Sequence, residues 1–259
     1  MKRQDKKKGK CYKCDNNATG REHVPPECIF PEKKDVGEDY RKNLITVPSC
    51  DEHNLKKTKD DEFFMTFITG HIKNNFVGYK QTKSKLKRAL DRKYDGFINS
   101  VLKDSRELTI KTSNGIEFPV IAGTPDLDRV KKCIEHISYG LYFHEYSRQF
   151  RGEFRVVYDF VTYQDDYVNK LIPYFHDVFK KGSDKYPIKG NNPEIFTYQI
   201  IEPDKFGIIA MKLSFFEGTH FFVSLQLENS PEPFDLEFKM MQDGHKITIK
   251  FDGKDYDFN

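Results

Sequence analysis

Four of the five cysteines, Cys11, Cys14, Cys28 and Cys50, fall in the first fifty residues, and Cys133 stands alone. Cys11 and Cys14 form a CxxC pair; after 35 intervening residues Cys50 and His53 form a CxxH pair. Short paired spacings let two turns each deliver two ligands to one tetrahedral Zn²⁺, which takes thiolate and imidazole readily. Met1–Lys10 carries six Lys/Arg and one Asp with no apolar stretch behind it, which does not read as a secretory signal. Thiols clustered in a cytoplasmic chain are expected to hold metal rather than form disulfides. The expectation is a structural zinc on Cys11, Cys14, Cys50 and His53; the alternative is two incidental half-sites. Cys28 and Cys133 read as small buried hydrophobes.

These ligands need elements to position them. Leu44–Val47 is a short β-type run ended by Pro48, and Ala18–Val24 can pair with it in antiparallel fashion. Between them lies a charged loop, Glu32–Lys42. Ser49 is a good N-cap, and Cys50–Gly70 reads as a helix with Leu55, Phe63, Phe64 and Phe67 on its apolar side. The order is strand, long loop, strand, helix. On that helix His53 and Asn54 differ in direction by about 100°, so one can face zinc while the other faces a second site.

Four pieces carry a resemblance: CYKC at 11–14, EHVPP at 22–26, NLITVPSC at 43–50 and CDEHNLKK at 50–57. Their order and spacing resemble the HNH endonucleases, the ββα-metal nucleases, in their zinc-stapled form, over about residues 11–62. The family places an acidic-His pair on the first strand, an Asn at the start of the second and an Asn or His on the helix. Here those positions hold Glu22 and His23, Asn43, and Asn54. One departure is His53, where the family often has a fourth cysteine.

The chemistry of such a site can be argued from the residues themselves. Phosphodiester hydrolysis requires an activated water, charge neutralisation on phosphate and support for the departing oxygen. Imidazole titrates close to neutral pH, so His23 is the candidate general base. Mg²⁺ or Mn²⁺ takes a few oxygen ligands and retains water; the Glu22 carboxylate and the Asn54 side-chain oxygen would supply two. Lys57, one turn beyond Asn54, is expected to meet phosphate or the leaving oxygen. The resemblance gives Asn43 the task of orienting the imidazole. Adjacent strand residues point to opposite faces, so Glu22 and His23 can share a site only if the chain bends, as Pro25-Pro26 suggests. The plainer readings are surface residues on a zinc ribbon for Glu22-His23, a turn residue for Asn43, a solvated run Lys56, Lys57, Lys59, and helix surface for Asp60, Asp61 and Glu62.

The net charge of +3 hides an asymmetry. Residues 1–100 hold 23 Lys/Arg against 15 Asp/Glu, a net of +8, and residues 101–259 hold 20 against 25, a net of −5. Residues 71–94 are rich in Lys and Arg, including Lys83, Lys87 and Arg88, and read as a basic helix that either follows nucleic-acid backbone or is simply solvated. Alternating Leu108, Ile110 and Thr112, then Asn114-Gly115, then Ile116, Phe118 and Val120 read as a hairpin. Helices are expected across Leu127–Leu141 and Val168–Phe179 with a strand-like Arg155–Val161 between them. Strands follow at Phe196–Ile201, Ile208–Phe215, His220–Leu227, Leu236–Met240 and Ile247–Phe251, with a turn at Asp252-Gly253.

The expected fold class is α+β: an N-terminal zinc-containing ββα-metal (HNH) nuclease unit over 1–70, a basic helical connector over 71–104, and a C-terminal α+β domain with an antiparallel sheet over 105–259, its helices on one side. His136, His144, His176, His220 and His245 are scattered through this last region and suggest no active site. With 37% hydrophobic and 32% charged residues, the chain suits neither disorder nor a membrane span. The leading expectation is a cytoplasmic, Mg²⁺- or Mn²⁺-dependent endonuclease acting on double-stranded DNA, with no membrane partner and with residues 105–259 available for target recognition, a homo-oligomer or a protein partner. Free-standing proteins of this family often resemble restriction or phage-defence nucleases. The rivals are a non-catalytic zinc-dependent nucleic-acid-binding or adaptor protein and an HNH nuclease directed at RNA, since contacts to phosphate do not exclude RNA.

Overall fold

The computed structural model describes residues 9–54, 58–90, 101–164, 166–230, 244, 247–251 and 254–258. Lys57, the expected strand Leu236–Met240, the Asp252-Gly253 turn and His245 lie outside the described residues. The chain is α+β with antiparallel sheets.

The first unit is a two-stranded ribbon, β1 (Gly20–His23) against β2 (Thr46–Ser49), with Gly20 opposite Ser49 and His23 opposite Thr46. Pro48 does not end the second strand; it sits inside it opposite Arg21. A two-stranded ribbon leaves an open edge on which a residue without an N–H costs no ladder bond. The Pro48 carbonyl accepts the Tyr12 N–H at 2.8 Å and so ties the CxxC segment to this edge. The intervening loop holds a 3₁₀ turn at Glu27–Ile29 and a short helix, α1 (Lys33–Val36), closed by Gly37 in the left-handed conformation at φ 92°.

The helix expected over 50–70 is described as α2 (Asp51–Asn54) and α3 (Thr58–Thr69). Ser49 is not the cap of α2. It belongs to β2, its hydroxyl donates to Glu22, and the Cys50 carbonyl accepts the first N–H groups, those of His53 and Asn54. The basic connector is helical as α4 (Phe76–Leu90).

The expected hairpin is β3 (Leu102–Lys111) with β4 (Glu117–Pro125). Next come α5 (Leu127–Tyr146), capped by Asp126 accepting the Arg129 N–H at 3.1 Å, then β5 (Gly152–Tyr158) and α6 (Asp166–Lys181). Four strands follow: β6 (Lys189–Asn192), β7 (Phe196–Ile201), β8 (Ile208–Phe215) and β9 (Thr219–Leu227). With β5 they make a five-stranded antiparallel sheet in the order β5-β9-β8-β7-β6. β10 (Ile247–Phe251) pairs with β11 (Lys254–Phe258). Strand β6, Lys-Gly-Asn-Asn, has no apolar alternation and was not foreseen.

Helices cover both faces of the five-stranded sheet rather than one. Successive strand residues alternate faces. On one face Phe215 and Phe221 meet the Phe64 ring of α3, at 5.5 and 6.1 Å between centroids, and Tyr198 donates to Glu145 of α5. On the other, Phe222 meets Phe175 and Phe179 of α6 at 5.3 and 5.9 Å. β9 can be sandwiched because Phe221, Phe222 and Val223 are consecutive apolar residues, giving it two apolar faces. One buried cluster runs from Cys11 and Tyr12 through α3 and α5 to Leu225.

Candidate metal centre and the adjoining cleft

Cys11 and Cys14 come from the segment before β1; Cys50 and His53 come from the β2–α2 junction. Their four ligand atoms lie within 4.8 Å of one another. The Cys14 and Cys50 sulfurs are 3.7 Å apart, and His53 Nδ1 is 3.3 Å from Cys50 Sγ and 3.6 Å from Cys11 Sγ. Ligands at zinc bond lengths of about 2.3 Å for sulfur and about 2.0 Å for nitrogen stand about 3.5–3.8 Å apart on a tetrahedron. The cluster could therefore hold a metal ion such as zinc. Burial, together with the nearby Lys13 charge, lowers the His53 pKa and favours the neutral imidazole that binds metal. Burial opposes ionisation of Cys50, but the His53 and Glu52 backbone N–H groups and the neighbouring thiols outweigh it and hold this thiol below its ordinary value. Cys14 is pushed up to about 11, chiefly by burial.

Residues from the C-terminal half surround this cluster. Gln149 Nε2 donates to the carbonyls of both Cys11 and Cys14 at 2.7 Å. Tyr12 OH is 2.9 Å from His136 Nδ1, and Lys13 pairs with Glu135 at 2.9 Å. Sequence reading missed Gln149 because an isolated glutamine beyond a helix end carries no spacing signal. His136, read as one of several scattered histidines, lies with its ring 5.8 Å from that of His53.

A cleft of ≈ 230 Å³ opens beside this unit, lined by Glu22, His23, Pro26, Glu27, Cys28, Asn54, Thr58, Asp61 and Glu62. The structure thus brings Glu22, His23 and Asn54 together. Glu22 and His23 share the cleft because β1 ends at His23 and the chain turns, with the 3₁₀ helix beginning at Glu27. Glu22 is buried and accepts the Ser49 hydroxyl at 3.3 Å. The His23 side chain is 39% exposed, with Nδ1 3.8 Å from the Glu27 carboxylate. Asn54 Nδ2 donates to the Arg21 carbonyl at 3.5 Å, which leaves the side-chain oxygen as its atom for a cation. His53 on the metal side and Asn54 in the cleft follow the 100° step of the helix.

Asn43 is placed elsewhere. It stands in the turn before β2 in the left-handed conformation, φ 55°, with its carbonyl accepting from Asn191 of β6 at 2.7 Å. It lines a different, shallow depression with Val24, Pro25 and Phe30. Asn tolerates this backbone region better than most residues, which suits the turn reading. Lys57 lies outside the described residues. Cys28, expected to be a buried hydrophobe, is half-buried and lines the cleft, whereas Cys133 is buried.

Near the end of α5, Glu145 and Arg148 have structural partners. Glu145 accepts from Lys189 at 2.6 Å and Tyr198 at 2.7 Å, and Arg148 donates to the Tyr142 hydroxyl at 2.8 Å. His176 and His220 do converge, with ring centroids 5.1 Å apart, beside Asp159, Lys212 and Ser214.

No family model matches this chain, and searches of curated proteins and of solved structures give no significant match. Among the described residues no helix is long and apolar enough to cross a membrane.

Proposed function

We propose that this chain is a zinc-stabilised, metal-dependent nuclease of the HNH type that hydrolyses phosphodiester bonds in DNA. The observation that carries the reading is the arrangement of one small ββα unit: Cys11, Cys14, Cys50 and His53 gather on one side of the β2–α2 junction, while Glu22, His23 and Asn54 line a cleft on the other. Zinc in the first cluster would tie residues 11–14 to the start of α2.

The donor set of the cleft suits a second, harder cation. Glu22, Asp61, Glu62 and Asn54 offer oxygen atoms, the ligands Mg²⁺ and Mn²⁺ prefer. Glu22 and Asn54 would hold such a cation, which would supply charge neutralisation on the phosphate and support for the departing oxygen. His23, exposed at the cleft, takes the proton from the attacking water through whichever ring nitrogen faces it. The Glu27 carboxylate, 3.8 Å from Nδ1, is the acidic group beside this ring. The burial of Glu22 and its bond from Ser49 hold the carboxylate in one orientation.

The test is nicking of supercoiled plasmid with and without added Mg²⁺ or Mn²⁺. Loss of a positioned base costs about 10²–10⁴-fold, so His23→Ala should fall by that factor while zinc content and DNA binding persist. Asn54→Ala should also lose rate and recover part of it at higher Mn²⁺. Cleavage by His23→Ala at the wild-type rate would overturn the assigned site; cleavage of RNA but not DNA would move the substrate. Intact binding with no cleavage of either would leave the non-catalytic adaptor.

A further inference from the structure

Helix α4 presents a face that neither the zinc cluster nor the cleft uses. Its inner side is fixed: Gly78 packs so closely on Phe216 that a Cβ would stand 3.1 Å from that ring, and Gln81 donates to the Cys28 carbonyl at 3.3 Å. Opposite them, Phe76 and Tyr79 are 66% and 59% exposed. Their rings are stacked, 6.4 Å between centroids and 21° between planes, and Lys80 lies 4.8 Å over Phe76. Phe76, Lys80 and Lys83 follow one another at i, i+4 and i+7 and so form one stripe. The helix carries five Lys/Arg and no Asp or Glu, and neither Lys80 nor Lys83 pairs with a carboxylate among the described residues.

We propose that this face binds an unpaired stretch of the nucleic-acid substrate, with Phe76 and Tyr79 stacking on bases and Lys80 and Lys83 meeting phosphates. Exposed aromatic rings interleaved with cations match a single strand, whose bases offer flat faces beside a negative backbone. In a duplex the base faces are already stacked on one another, so only the lysines would be used. A bilayer would require an apolar face free of charge, whereas here rings and lysines share one stripe. An acidic peptide would answer the lysines and leave the rings without a planar partner. Through Gln81 and Cys28 the inner side of the helix abuts the cleft wall, and the ring-bearing face looks outward from it. The proposal rests on the nuclease reading for the choice of DNA as substrate.

The experiment compares a labelled single-stranded oligonucleotide with a hairpin duplex of the same composition, by fluorescence anisotropy on the full chain without added Mg²⁺. Removing two stacking rings should weaken single-strand binding about tenfold or more in F76A/Y79A, with duplex binding changed less than twofold. F76L/Y79L, which keeps apolar bulk and loses the planar faces, should behave as the alanine variant. K80Q/K83Q should weaken both ligands and reduce the single-strand log-log salt slope by up to about 1.4. Unchanged single-strand affinity in F76A/Y79A, equal loss for duplex, or displacement by a polyglutamate peptide of equal charge would overturn the proposal. Binding is read apart from cleavage. Ring-dependent binding in a chain that cuts nothing would sink the nuclease reading alone, and cutting with ring-independent binding would sink this one alone.

Discussion

Gln149 shows how one side chain can unite two distant parts of the chain. Its amide bonds both carbonyls of the CxxC segment, while the segment's two thiols belong to the Cys/His cluster that could hold a metal ion. Groups that orient ligands without touching the metal commonly tune affinity about 10–100-fold. Gln149→Ala should therefore release zinc to a chromogenic chelator about tenfold faster than wild type, and Gln149→Glu, which replaces the donor by an acceptor, at least as fast. Equal release rates in all three proteins would reduce Gln149 to surface packing. Glu22 and His23 illustrate a different point. Strand alternation sets neighbours on opposite faces, and the two share the cleft because the strand stops at the second of them.

At the scale of elements, α5 is the brace behind the ββα unit. Gly140 approaches Val24, the residue after His23, so closely that a Cβ on it would stand 2.6 Å from Val24 Cγ2. Alanine for glycine inside a helix ordinarily gains about 1 kcal/mol. Here the added methyl must displace a buried, β-branched side chain, and overpacking of this kind costs about 1–3 kcal/mol. Gly140→Ala should therefore lower the urea midpoint and reduce nicking through movement of the His23 end of β1. A midpoint raised to the extent helix propensity predicts would show that Val24 yields without cost. The element order strand, loop, strand, helix was legible from Ala18–Val24, Leu44–Val47 and the run after Ser49. The strand bounds were less so, because Pro48 reads as a stop in sequence and sits harmlessly on an open edge in the ribbon.

The molecule as a whole is held by one buried cluster that continues past residues 70 and 104, from Tyr12 and Phe64 to Phe215, Phe221 and Leu225. Half-buried histidines in and beside the sheet make the stability of the molecule depend on pH. His220 is held down to about 3 by burial first, then by the Lys212 charge and His176; His176 and His71 are lowered as well. An unfolded histidine takes up its proton near pH 6.5, while folded His220 refuses it until about 3, so stability is complete above about 6.5 and is lost as pH falls toward 3. Asp159 is raised by burial and acts in the opposite sense, but only nearer the carboxylate range. The melting temperature should therefore drop between pH 7 and pH 5, and His220→Gln, which retains a polar partner for Ser214, should flatten that drop. An equal slope in both proteins would clear His220 and leave the acid sensitivity to His176, His71 or the Cys/His cluster.

The sequence by itself determined what short-range spacing can encode: the CxxC and CxxH pairs, the 100° step that separates His53 from Asn54, and the bounds of β7, β8 and β10, whose apolar runs sit between turn residues. Tertiary structure decided what depends on approach between segments far apart in the chain. It set Gln149 against the CxxC carbonyls, turned Asn43 toward β6 and away from the cleft, placed helices on both faces of the sheet, and gathered His176, His220, Asp159 and Lys212. Local periodicity reports which face of an element is apolar. It is silent on which distant element covers that face, because burial is shared by the whole core while each spacing signal spans only a turn or two.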